Sequence, residues 1–210
     1  MSPEWQGSHP CCGLGTLPDT DVHVSLYHPC MSVARFAPAL TVMVLGLGCA
    51  VHGQQGRLAP YVPTPPDVVD RMLSLAAVTA QDVVYDLGSG DGRIVIAAAK
   101  TYGARGIGIE IDPTRIKEAR ENARRAGVER QVTFRLEDAT TADISAATVV
   151  TLYLLTSGNQ TLKPTLERQL RSGTRVVSHA FPISGWTPEK VDKFTDSMGD
   201  ERIIYLWRIP

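Results

Sequence analysis

Beyond residue 49 the chain contains no cysteine, and beyond residue 52 it contains a single histidine, His179. The four cysteines (Cys11, Cys12, Cys30, Cys49) and the other four histidines (His9, His23, His28, His52) all lie early in the chain. A disulfide framework, a cysteine zinc site and a histidine-rich metal centre are therefore excluded from the main body. An excess of one charge sign is also missing. Twenty-one Lys and Arg face 22 Asp and Glu, for a net charge of −1. A generic nucleic-acid binder is usually basic, so nucleic acid is not an expected partner. With 43% hydrophobic and 20% charged residues, the composition is that of a globular protein. It fits neither a collagen, nor a fully disordered chain, nor a polytopic membrane protein.

What is present divides near residue 53. Residues 1–30 scatter Gly, Pro, His and Cys without a sustained hydrophobic period. They read as disordered, or as lying ahead of the natural start, because Met31 opens a more ordered pattern. A short basic stretch ending at Arg35 precedes sixteen uncharged residues, 36–51, and small residues follow. That is the grammar of a signal peptide, with cleavage expected after Ala50 or Gly53. A lipoprotein signal around Cys49 fits less well, because Gly46 stands where a large aliphatic residue belongs. An uncleaved anchor is the other reading, although the segment is shorter than the roughly 20 residues of a typical span. Residues 31–53 are thus expected to make the protein membrane-associated or exported. If they form an anchor, the domain can face the cytoplasm.

Residues 54–210 are enough for one domain with a real core. Thr64, followed by Pro65 and Pro66, reads as the N-cap of a helix. Strands are expected at 82–87, 106–111, 132–136, 148–155 and 175–178. Helices are expected at 93–102, from Asp112 to Ala126, and from about Pro164 to Arg171. Residues 190–194 and 202–209 read as two further strands joined by a turn at 197–200. Alternating strands and helices predict a doubly wound, mostly parallel α/β sheet with helices on both faces. The terminal hairpin adds an antiparallel strand at one edge.

The turn after the first strand carries the chemistry. Gly88, Gly90 and Gly92 follow Asp86 in the order Asp86-Leu87-Gly88-Ser89-Gly90-Asp91-Gly92-Arg93. Arg93 stands where a dinucleotide fingerprint needs its third glycine, which disfavours a nucleotide-dependent oxidoreductase. No Gly-Lys-Ser/Thr of a P-loop is present. Asp86 closes the first strand, Glu110 the second, and Asp138 follows the third. Each admits a plain reading, as a helix cap, a solvated strand end and a turn former. At three consecutive strand ends they are expected to face one crevice. That set suits S-adenosylmethionine. Asp86 serves the ammonium side, Glu110 the ribose hydroxyls, and Asp138 the adenine amino group, with Ala139 against the ring. Gly88, Ser89, Gly90 and Gly92 bring the backbone close to the cofactor. Tyr61 and Thr64 are placed to fold over it.

These motifs resemble a known family. The run from Asp86 to Ile96 is similar to the first motif of class I methyltransferases. Together with 60–65, 150–155, 175–181, Trp186 and Pro188, it resembles bacterial relatives of the protein-lysine methyltransferases. Eukaryotic members of that family modify the c-ring protein of ATP synthase and the adenine nucleotide translocase. The resemblance spans about residues 60–190, and Thr156 stands where the family pattern has proline. It implies a seven-stranded Rossmann-like fold with an antiparallel last strand. It also implies S-adenosylmethionine as cofactor and a hydrophobic N-terminal segment that places the enzyme at a membrane. The expected acceptor is a protein lysine. A small-molecule O- or N-methyltransferase and a non-catalytic cofactor-binding module are the alternatives. Candidate acceptor-side residues are Tyr153 at the end of the fourth strand, Asn159 on the loop after it, His179 at the end of the fifth, and Trp186. His179 can act as a base or orient a substrate. Tyr153, Asn159 and Trp186 can equally be packing, turn-forming and core-covering residues.

Overall fold

The computed structural model describes residues 58–210. The leader, anchor and disorder readings of residues 1–53 lie outside the described residues.

The chain alternates as expected. The elements are α1 (Pro66–Leu75), β1 (Val83–Leu87), α2 (Arg93–Tyr102), β2 (Arg105–Glu110), α3 (Pro113–Ala126), β3 (Val132–Leu136), β4 (Val149–Leu152), α4 (Thr156–Gln169), β5 (Arg175–His179), β6 (Lys190–Thr195) and β7 (Glu201–Arg208). One seven-stranded sheet has the order β3-β2-β1-β4-β5-β7-β6. The strands from β3 to β5 run parallel. The C-terminal hairpin forms the far edge: β7 runs antiparallel to both β5 and β6, with β6 outermost.

The central strands are buried on both faces, and their side chains alternate between two cores. Val84, Val149, Val177 and Ile204 pack with the apolar faces of α1 and α2. Leu87, Val150, Leu152, Val176 and Trp207 pack with Leu162 and Leu166 of α4. Ile116, Ala119 and Ala123 of α3 close over Val95, Val132 and Phe134.

Two local expectations change. Thr64 is not the N-cap of α1. Pro65 holds that position without a side-chain cap, and Thr64 is buried beside the helix start. α4 begins at Thr156, so Pro164 lies inside the helix and not at its start. β4 correspondingly ends at Leu152, and Tyr153 is the first residue beyond the sheet. Leu162 and Leu166 are the only large apolar residues that α4 buries, so a helical period was hard to see there.

The chain runs from β1 outward through β2 and β3, then returns to β4 on the other side of β1. That reversal opens a crevice at the carboxyl ends of β1 and β4, where ligands bind in open parallel sheets.

Candidate functional site

Gly88, Gly90 and Gly92 all have positive φ, at 84°, 52° and 81°. The N–H groups of Gly88 and Ser89 both donate to the Ile109 carbonyl at 2.9 Å, which locks the turn onto β2. Two of the glycines are also sterically required. A Cβ on Gly90 would lie 2.6 Å from Tyr61 Cε2, and one on Gly92 would lie 2.5 Å from Phe134 Cζ.

A cavity lies over this turn. Asp86, Gly88, Ser89, Gly90, Glu110, Asp138, Ala139, Tyr153 and Leu154 line it. Residues 58–64, including Tyr61 and Thr64, cross it as a strap. The structure therefore brings the expected cofactor-side residues to one place, except Gly92, which does not line the cavity and whose absent Cβ leaves room for Phe134 and Ala119.

Each carboxylate has a distinct environment. Asp86 is 3% exposed and accepts from Thr151 Oγ1 at 2.8 Å. The β1–β4 register places those two residues side by side. Burial pushes its carboxyl up to about 7; the Thr151 bond opposes this, and the charges of Glu110 and Asp91 add to it. Glu110 Oε1 accepts from the backbone N–H groups of Ile111 and Asp112, and Oε2 from Gly90 at 2.8 Å. Its carboxylate is thus aimed by three backbone donors, which leave few of its acceptor positions for a ligand. Asp138 Oδ1 accepts from the N–H and the hydroxyl of Thr140, both at 2.8 Å. The turn-forming role is therefore real, but it uses one oxygen and leaves Oδ2 as an acceptor for a ligand.

Sequence reasoning missed the group that ties the strap down. From the sequence, Arg93 only disfavours a dinucleotide site. Its Nη1 donates to the Thr64 carbonyl at 2.8 Å, while Nε and Nη2 bind the two oxygens of Asp91 at 2.9 and 2.6 Å. Asn122 of α3 holds the Asp91 carbonyl at 2.9 Å. Tyr61 lies under the Arg115 guanidinium, 4.0 Å from its ring centroid, a cation–π contact. The signal was the Asp91-Gly92-Arg93 spacing, which brings a charge pair to the helix start.

The acceptor-side candidates separate. Tyr153 is half-buried and lines the cavity. His179 ends β5 as expected, fully buried against Tyr153 with ring centroids 4.1 Å apart. Burial pulls its imidazole down to about 4; the Arg202 charge adds to this and Asp196 opposes it. Asn159 is not on a loop. It lies in α4, wholly buried, with its amide bound to Ser178 and the Phe181 carbonyl. Trp186 donates to Glu167 at 2.9 Å and packs edge-on to Trp207, covering the core edge and not the cavity.

The cavity suits a zwitterionic nucleoside ligand. It offers a buried carboxylate bonded to a neutral hydroxyl, a backbone cradle too tight for any Cβ, and apolar walls from Ile109, Ala139 and Leu154. Among the described residues no cluster suits a metal ion, and no helix is long and apolar enough to cross a membrane.

Comparison with known proteins agrees with this geometry. The model of the ANTKMT methyltransferase domain matches residues 86–190. A protein-lysine N-methyltransferase of Saccharolobus islandicus (strain REY15A) is 49% identical over 151 residues, 71% of this chain and 93% of that protein. The adenine nucleotide translocase lysine N-methyltransferase of Mus musculus is 36% identical over 132 residues, 63% of this chain and 57% of its own length. The chain thus spans nearly all of the archaeal relative and little more than half of the mouse one. A crystal structure of an RNA methyltransferase from Salinibacter ruber in complex with S-adenosyl-L-homocysteine is 59% identical. It has a TM-score of 0.67 and covers 71% of this chain and 94% of that one. With the cavity and these relatives in agreement, the chain belongs to the ANTKMT methyltransferase domain family and is an S-adenosylmethionine-dependent class I methyltransferase.

Proposed function

We propose that this enzyme methylates the ε-amine of lysine in a protein. The observation that carries this reading is the archaeal protein-lysine methyltransferase, half identical over almost its whole length. S-adenosylmethionine supplies a methyl group on a sulfonium whose departure leaves a neutral thioether, so little acid catalysis is needed.

In this reading Asp86 balances the ammonium end of the cofactor. Glu110 Oε2, with Oε1 already holding two backbone N–H groups, accepts from one ribose hydroxyl, and Asp138 Oδ2 accepts from the adenine amino group beside Ala139. Gly88, Ser89 and Gly90 admit the cofactor close to the backbone, while Gly92 lets the turn pack against Phe134. The strap, through Tyr61 and Thr64, covers it and excludes water. Alignment and dryness then supply most of the acceleration. Tyr153, at the carboxyl end of β4, orients the amine. An apolar wall favours the uncharged amine that the displacement needs.

The Salinibacter ruber structure supports a second reading, RNA as acceptor. One assay separates them. Extract of the source cells is incubated with enzyme and methyl-labelled S-adenosylmethionine, then divided between protease and ribonuclease. Label is expected in protease-sensitive material that yields methyl-lysine on hydrolysis. Ribonuclease-sensitive label, or label only in small metabolites, would sink the lysine reading.

We infer further that residues 36–51 bring the enzyme to a membrane. Their uncharged, apolar run after Arg35 supports this. Fractionation with N-terminal sequencing tests it: a membrane-bound chain retaining residues 36–51 is an anchor, and an exported chain starting near Gln54 is a cleaved product. A soluble chain with residues 36–51 intact counts against both.

A further inference from the structure

The backbone just after β5 is strained. Ala180 has φ of +64°, outside the range that a side chain ordinarily adopts. The Phe181 N–H donates to the His179 carbonyl at 2.8 Å, two residues back. A two-residue bond around a positive φ is the rare form of γ-turn. Such strain persists only where surrounding structure over-determines it, and it gathers at functional sites.

The surroundings do over-determine it. Asn159 Nδ2, from α4, donates to the Phe181 carbonyl at 2.9 Å and to Ser178 Oγ at 3.3 Å. Ser178 Oγ donates to the same carbonyl at 2.6 Å. Ala180 N–H is held by the Ile203 carbonyl of β7 at 2.8 Å. Asn159 and Ser178 are both wholly buried. The turn sets two rings against Tyr153: His179 with centroids 4.1 Å apart and Phe181 at 6.5 Å. Two polar atoms of this cluster, His179 Nδ1 and Asn159 Oδ1, are buried with no partner among the described residues. Native interiors seldom leave such atoms unpaired, and a ligand group is one way of satisfying them.

We propose that the γ-turn 179–181, clamped by Asn159 and Ser178, builds the acceptor wall of the site: Tyr153 faces the cavity, the buried His179 ring backs it, and the half-buried Phe181 extends the aromatic surface for the aliphatic stem and amine of a lysine. This rests on the reading above that the acceptor enters beside Tyr153. Asn159 and Ser178 are positioning residues: they act through the Phe181 carbonyl on the rings that support Tyr153 from behind and beside it. That role also explains why a polar amide sits fully buried in α4.

The test uses the full chain, methyl-labelled S-adenosylmethionine, and poly-L-lysine and total RNA as acceptors. Asn159→Leu keeps the branched shape of the side chain and removes the clamp. It is expected to lower kcat/KM for the acceptor about tenfold, while affinity for S-adenosylhomocysteine stays within about twofold. Adding Ala180→Gly is expected to return most of the loss, because glycine takes a positive φ without strain. A residue that merely fills the core would not be rescued in that way. The His179 imidazole resonance, assigned by its disappearance in His179→Gln, gives a readout independent of the acceptor. It is expected to shift or broaden in Asn159→Leu and to recover in the double variant. Ser178→Ala, which removes one of the two donors, carries the same readouts if Asn159→Leu does not fold. Parallel loss of S-adenosylhomocysteine affinity, absence of rescue by glycine, or an unmoved His179 resonance overturns the clamp. Labelling of RNA without poly-L-lysine overturns only the lysine reading, and the clamp is then judged by the same measurements on RNA.

Discussion

Asp86 is enclosed at the end of β1 with a single hydroxyl donor and two other carboxylates nearby, which is why its carboxyl is pushed up to about 7. The sign of the consequence differs with and without ligand. In the ligand-free protein the folded state holds the proton more tightly than the unfolded chain. Its contribution to stability is therefore greatest below the ordinary value of 3.8 and falls as pH rises through 7. A cationic ammonium favours the ionised form, so binding expels the proton. Affinity for S-adenosylhomocysteine is expected to weaken about tenfold per pH unit below 7 and to level off above it. Calorimetry across pH checks this, and Asp86→Asn should flatten the profile. A flat profile in the unmodified enzyme would refute the role of Asp86. Asp86, Glu110 and Asp138 were legible in the sequence because strand ends and glycine spacing are local signals. The place of Asn159 was not. A polar residue after a strand reads as a loop, and nothing local announces that its amide is buried against a carbonyl 22 residues away.

At the scale of elements, the strap is fastened mainly from α2. Arg93 forks between Asp91 and the Thr64 carbonyl, so one side chain joins the glycine turn to residues 58–64. Arg93→Ala frees the strap while leaving the sheet intact. Affinity for S-adenosylhomocysteine is expected to fall about tenfold, a loss of about 1.4 kcal/mol, with little change in Tm. Arg93→Lys should not restore it, because an ammonium cannot reproduce the planar fork. Equal affinity in all three proteins would show that the strap contributes nothing to binding. α4 illustrates where sequence reading fails for elements. Proline favours a helix start, so Pro164 drew the boundary eight residues late. The true start at Thr156 has no side-chain cap to betray it. The strap comes close to that helix as well: a Cβ on Gly158 would lie 2.9 Å from the Leu58 carbonyl. Contacts of this kind between distant segments leave no period in a sequence.

At the scale of the whole molecule, the parallel sheet is stitched together at its amino ends by Asp82. Its carboxylate accepts from Thr148 before β4, from the N–H and hydroxyl of Thr79 before β1, and from Arg175 of β5. Arg175 also donates to the Ala76 carbonyl at 2.7 Å. Burial alone would raise the Asp82 carboxyl, but the bonds from Thr148 and Thr79 and the Arg175 charge hold it below its ordinary value. Its stabilisation is therefore complete above about 3.8 and is lost as pH falls through the folded value. Asp82→Ala leaves the partly buried Arg175 guanidinium with backbone carbonyls but without its carboxylate, and should cost about 3 kcal/mol at neutral pH. Denaturant titrations at neutral and acid pH check this: the gap between variant and parent should shrink in acid. An unchanged gap would mean that the pair is incidental. The alternation of strands and helices made this architecture readable in advance, but the Arg175 threads that bind it here run between residues 93 and 99 apart. The placement of β7 also bears on how the enzyme is made. It sits between β5 and β6, yet it is synthesised after both. Until it arrives, the outer edge of β5 is open and β6 has no neighbour to pair with. Ala180, which β7 holds through Ile203, cannot be fixed before then. On the ribosome, every strand end that carries a cofactor-side carboxylate is therefore made before the turn of the acceptor wall can be fixed.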